Sequence, residues 1–163
     1  ELDDLFDNRI TTLFSNMHNI ETSVTKADLV IGAVLIPGAK APKLVTREMI
    51  SKMEKGSVVV DIAVDQGGCI ETCKPTTHEN PTFEVDEVIH YCVANMPGAV
   101  AQTSTYALTN VTIHYARLIA NFGIDGAAKK NEPLRKGINV YKGDLVYEQV
   151  AADLDLPYTE LKL

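Results

Sequence analysis

The sequence predicts an α/β fold, an open parallel sheet followed by a mainly helical segment. Three observations predict it. Apolar runs suited to strands alternate with helical stretches through residues 1–100, the pattern of βαβ units around a parallel sheet. One run, Val58-Val59-Val60, is β-branched with no polar break, as in a strand buried on both faces. The remaining third repeats its apolar residues at helical spacing and reads as a different unit.

Each element has its own signal. Residues 2–8 read as the last turns of a helix, with Leu2, Leu5 and Phe6 on one face. Thr11–Phe14 reads as a short strand, and Ile20–Lys26 as a polar helix with Ile20, Val24 and Ala27 inside. Asp28–Ala33 is a second apolar strand. Two prolines and a glycine make Leu35–Pro42 a loop. Thr46 suits the N-cap of a helix through Lys55 that buries Met49, Ile50 and Met53 and ends at Gly56. The third strand is Val58–Val60. Residues 69–87 look irregular, and Val88–Val93 is the fourth strand. Thr103 or Ser104 is expected to cap the longest helix, which runs to Phe122 and closes at Gly123. Beyond it, Ala127–Asn131 suggests a short helix. Lys142-Gly143-Asp144 suggests a hairpin turn between Ile138–Tyr141 and Leu145–Tyr147, with Leu145–Leu154 open to a helical reading instead. From Pro157 the tail reads as irregular.

Composition narrows the function. The chain has 163 residues, 45% hydrophobic and 23% charged, enough for a real core. A net charge of -7 argues against nucleic acid as a partner, because phosphate binding needs clustered Lys and Arg. No run approaches the roughly 18 apolar residues of a membrane span. Cys69, Cys73 and Cys92 are an odd set without framework spacing, which suits a cytoplasmic setting and free thiols; no metal site is expected. The chain opens Glu1-Leu2-Asp3-Asp4 with no Met, in what reads as mid-helix, so it is expected to be a piece of a longer protein.

The chemistry gathers after the strands. In a parallel sheet the segments following each strand lie along one edge; here they are Val34–Pro42, Val64–Gly68 and Ala94–Gly98. That edge is where open α/β sheets bind nucleotides. Gly38 would let the first loop approach a ligand closely. Asp65 can act as acid or base, and Asn95 can donate and accept at an amide. Asp, Asn and Gly also follow strands simply because they make turns, and pattern alone leaves both readings open. Asp61, inside the strand run, reads as a hydrogen-bonded structural carboxylate. Lys40 and Lys43 read as solvated loop lysines, and His18, His78, His90 and His114 as structural or solvated. No G-x-G-x-x-G lies between a strand and a helix.

Four stretches carry a resemblance: ADLVIGAVLIPGAKAPKLVTREMI, VVVDIAVDQGGCIET, PTTHENPTF and YCVANMPGAVAQTSTYALTNVT. Together they resemble the alanine dehydrogenase family. The nucleotide-binding subunit of the proton-translocating transhydrogenase is the related alternative. It shares the IPG-x-x-APKL loop, but typically reads AxQNGG where this chain has Ala63-Val64-Asp65-Gln66-Gly67-Gly68. The Asp, with the intact ANMP-to-ALTN run, favours the dehydrogenase.

The resemblance implies the back half of a Rossmann-type NAD-binding domain over residues 1–101. Residues 102–163 would be a long connecting helix and a segment returning to the substrate domain. It implies reversible oxidative deamination of L-alanine to pyruvate and ammonium with NAD, in a homohexamer. Asp65 would be catalytic, beside the nicotinamide ribose, working with a histidine of the N-terminal substrate domain. Ser15, Val34 and Leu35 match cofactor contacts near the adenosine half; Ile62, Asn95 and Met96 match contacts near the nicotinamide half. The family's phosphate loop and substrate-binding lysine and arginine lie upstream of this segment. The sheet is therefore expected to show an apolar edge, the long helix to expose part of its apolar stripe, and the segment alone to be inactive and prone to aggregate.

Overall fold

The computed structural model describes residues 1–7 and 9–163. Asn8, included in the first expected helix, lies outside them. The chain divides into two compact units, residues 1–35 with 41–94, and residues 36–40 with 95–163.

The first unit is built on α1 (Leu2–Phe6), α2 (Met17–Val24), β1 (Leu29–Gly32), α3 (Arg47–Ser51), β2 (Val58–Asp61), β3 (Thr82–Val85) and β4 (Val88–Tyr91). The sheet order is β1-β2-β4-β3. β1, β2 and β4 run parallel, in the register Leu29↔Val58 and Val58↔Ile89, so the α/β reading holds. α2 starts earlier than its apolar pattern suggested, because the Asn16 side chain accepts from Asn19 N at 2.8 Å and sets the first turn. Thr46 caps α3 as expected, accepting from Met49 N at 3.3 Å. Val24 of α2 and Met49 and Ile50 of α3 pack on Val59 and Val88 in one core with Val45 and Ile70.

Period-two alternation along the strands decides what each face does. Val59, Val88 and His90 face the helices and are fully buried. Val58 and Val60 point the other way and are only half-buried, with Leu29 and Ile31 beside them 53% and 56% exposed. The expectation of a strand buried on both faces is thus corrected: one face of β2 is closed. β1 lies at the sheet edge, which is apolar as expected.

Two further corrections concern strands. Thr11–Phe14 forms none, and Phe14 is 84% exposed. Residues 69–87 are not wholly irregular, since β3 pairs antiparallel with β4. The connection is the two-residue turn Asp86-Glu87, both with positive φ (52° and 62°), where the usual Asn-Gly signal is absent.

The second unit starts with a 3-10 turn, Met96–Val100, and the 30-residue helix α4 (Ala101–Lys130). α4 starts without a side-chain cap; the Ser104 hydroxyl donates to the Pro97 carbonyl at 2.9 Å instead. Gly123 breaks its helical geometry at φ 66°, ψ 173°, where the sequence placed the end. Leu108, Val111, Ile119 and Phe122 are exposed, as expected of the stripe. α5 (Glu132–Lys136), the hairpin β5–β6 (Val140–Tyr141, Asp144–Leu145) and α6 (Glu148–Leu154) follow, so hairpin and helix both form. Ala128, Ile138 and Val146 make a small core on which Leu161 and Leu163 of the irregular tail pack. No helix among the described residues is long and apolar enough to cross a membrane.

Candidate active site

β2 ends at Asp61, whose side chain is fully buried. One carboxylate oxygen accepts from Ala63 N at 3.0 Å, the other from Cys69 N at 2.9 Å and Ile70 N at 3.0 Å. Asp61 is the structural carboxylate the sequence suggested, and it curls residues 62–70 around itself. The first of those bonds caps a single 3-10 turn, Ile62–Gln66. Within the turn Ala63 and Val64 point inward and are buried, which leaves Ile62 and Asp65 on the outer side, exposed. Gly67 (φ 92°) and Gly68 (φ 73°) then reverse the chain. A Cβ on Gly68 would lie 2.7 Å from the Asp61 carboxylate, so the loop closes this tightly only with glycine there.

The segment 41–45 runs beside this loop. Ala41 N donates to Gln66 O at 2.9 Å and Leu44 N to Cys69 O at 2.8 Å. Lys43 is exposed, as expected of a loop lysine, but it also holds a specific partner. Its ammonium donates to Gly67 O at 2.6 Å. A lysine in a loop carries no sequence signal of such a bond. Lys40 and Asp153, both in the second unit, pair at 3.9 Å. Gly38 also has a different reason from the one expected: the Tyr147 ring fills the space where its Cβ would go.

The predicted contact residues fall into three places. Ser15 and Val34 line one groove of about 310 Å³ along β1 and α2, with Phe14, Ile20 and Leu44. Leu35 follows Val34 and is 64% exposed. Ile62 and Asp65 lie on the turn after β2. Asn95 and Met96 belong to the second unit, where Asn95 takes a left-handed conformation (φ 55°) at the head of the 3-10 turn.

The buried titratable groups near the sheet are structural. Burial pushes the Cys69 thiol above its ordinary range, reinforced by the Asp61 carboxylate beside it. Burial also holds His90 below the usual histidine range. Its Nδ1 donates to Val88 O at 2.8 Å, which leaves Nε2 to accept from the Thr72 hydroxyl at 2.7 Å. Cys69, Cys73 and Cys92 are free thiols.

Parallel strands whose following turns present an outward carboxylate, next to a groove at the sheet edge, define an open α/β domain of the nucleotide-binding class. The comparisons place it more narrowly. The profile described as alanine dehydrogenase/PNT, C-terminal domain, matches residues 1–148, and the chain belongs to that family. It is 60% identical over 159 residues to the alanine dehydrogenase of Methanococcus maripaludis, covering 97% of this chain and 43% of that protein. It is 58% identical over 162 residues to that of Geobacillus stearothermophilus, covering 99% and 43%. Among solved structures, an L-alanine dehydrogenase superposes with a TM-score of 0.79 at 49% identity, over 94% of this chain and 42% of the other. A transhydrogenase from Sinorhizobium meliloti gives 0.59 at 30%, over 83% and 36%. The chain thus spans less than half the length of the curated relatives it matches.

Proposed function

We propose that this chain is the C-terminal part of an NAD-dependent alanine dehydrogenase. Its reaction converts L-alanine, NAD and water to pyruvate, ammonium, NADH and a proton, reversibly. The observation that carries the reading is Asp65. It is held outward on a turn pinned to the end of a central strand, in a chain 49% identical to a structurally similar L-alanine dehydrogenase. The transhydrogenase, at 30% identity and a lower TM-score, is the weaker match.

The residues present fit one part of a dinucleotide. The groove along β1 offers apolar walls from Phe14, Ile20 and Val34 with Ser15 among them, suited to a flat base with a polar rim. In the reading adopted here Ser15, Val34 and Leu35 hold the adenosine half, and Ile62, Asn95 and Met96 the nicotinamide half. When bound, NAD supplies the hydride acceptor. Asp65 takes a proton from the water that adds to the carbon that has lost hydride, and returns a proton as the C–N bond breaks and the nitrogen leaves as ammonia. It shares that work with a histidine outside this chain. Residues 1–101 then belong to the cofactor domain and 102–163 return to the substrate domain of a cytoplasmic homohexamer.

Residues 1–163 alone are expected to form no NADH from alanine, and to aggregate through the exposed Leu29–Ile31 edge and the α4 stripe. Spectrophotometric assay and light scattering of the isolated segment check both. Alanine-dependent turnover by that segment would contradict the division of the site.

A further inference from the structure

The turn that carries Asp65 is held from two sides, by two opposite charges. Asp61 takes the backbone N–H groups of residues 63, 69 and 70. Lys43 takes the carbonyl side: its ammonium donates to Gly67 O at 2.6 Å and reaches Ile70 O at 3.5 Å. Gly67 and Gly68 both have positive φ, so the covalent chain alone restrains this stretch little. A charge-assisted bond to the first carbonyl after the turn supplies the missing restraint. The Lys43 side chain is exposed, but its backbone is fixed, because its neighbours at 41 and 44 are bonded to Gln66 O and Cys69 O. Asp65 lies between the Asp61 bond at Ala63 and the Lys43 bond at Gly67.

We infer that Lys43 is a positioning residue for Asp65, holding the Gly67 carbonyl so that the carboxylate on the preceding turn faces the reacting atoms at a fixed reach. The inference rests on Asp65 being the proton-handling group. In this role Lys43 acts through the Gly67 carbonyl and not on substrate or cofactor directly, so its loss should appear in kcat and not in cofactor affinity.

The test compares Lys43→Met, Lys43→Arg and Asp65→Asn in the full-length enzyme, reading kcat, NADH affinity by fluorescence titration and thermal midpoint. Lys43→Met is expected to lower kcat by about 10- to 100-fold, the effect of a small misplacement of a catalytic group, with NADH affinity changed less than about threefold. Lys43→Arg, which keeps a charged donor, is expected to recover part of the loss. If Lys43→Met does not fold, Lys43→Gln reads the same split with a neutral donor. Wild-type kcat in Lys43→Met beside an inactive Asp65→Asn would overturn this inference and leave the catalytic reading standing. So would a fall in NADH affinity matching the fall in kcat, or an Arg variant no better than Met. Full turnover in Asp65→Asn would remove the catalytic reading and this inference with it.

Discussion

Asp65→Asn in the full-length enzyme is expected to bind NADH as the wild type does and to lose at least about 100-fold in turnover, the usual contribution of a positioned general acid or base. The substitution keeps shape and removes only the ability to take and return a proton. Asp65 points outward from its turn, whereas the bonds that shape the turn belong to Asp61. Fold and the groove along β1 should therefore survive. Steady-state kinetics beside a fluorescence titration separate the two effects. Turnover within a fewfold of wild type would take Asp65 out of the chemistry.

Asp61→Ala is expected to fail in the opposite manner. It leaves the N–H groups of Ala63, Cys69 and Ile70 without their acceptor, around a side chain that is fully buried. Each unsatisfied buried donor costs about 1–3 kcal/mol, so the domain should lose at least about 3 kcal/mol. In a domain of this size that lowers the thermal midpoint by about 6–12 °C. Stability, cofactor binding and turnover should decline together, because the loop, the Cys69 side of the groove and Asp65 all hang on this carboxylate. Asp61→Asn should cost less, since its amide oxygen still accepts from one side. Calorimetry on the three proteins checks the order. An Asp61→Ala protein as stable as wild type would mean that the loop is held by something else.

Much of this was legible in the sequence. The β-branched run Val58–Val60 fixed the central strand, and alternation with α2 and α3 fixed the parallel order. Thr46 marked the start of α3 because capping chemistry is local, but the helix ends at Ser51 with Lys52 as its C-cap, four residues short of the expected Lys55 and not at Gly56. Asp61 was readable as structural because a carboxylate within an apolar run needs buried donors. What escaped was non-local or unsignalled. β3 is a short strand whose turn uses Asp86-Glu87, residues that take positive φ only because the β3–β4 pairing holds them there. Thr11–Phe14 has strand composition but forms no strand here, and composition cannot report pairing. The apolar β1 edge with Leu29 and Ile31 was expected, but the open face of β2 was hidden, because an apolar run says nothing of what covers it. Lys43 was missed since its partner is a backbone carbonyl 24 residues away. Gly38 was noticed for the right physical reason, close approach, and given the wrong neighbour. Asp65 itself could not be separated from a turn residue by pattern. The structure puts it on the outside of a tightly pinned turn, and reading that position chemically rests on the resemblance of the VVVDIAVDQGG stretch.

The most direct test of the account is the product analysis of the full-length enzyme given L-alanine and NAD. Pyruvate, ammonium and NADH are expected in equal amounts, with no hydride passed to NADP when alanine is left out. NADH binding without alanine-dependent reduction, together with hydride exchange between the two nicotinamide nucleotides, would contradict the dehydrogenase reading and point to the transhydrogenase branch of the same family.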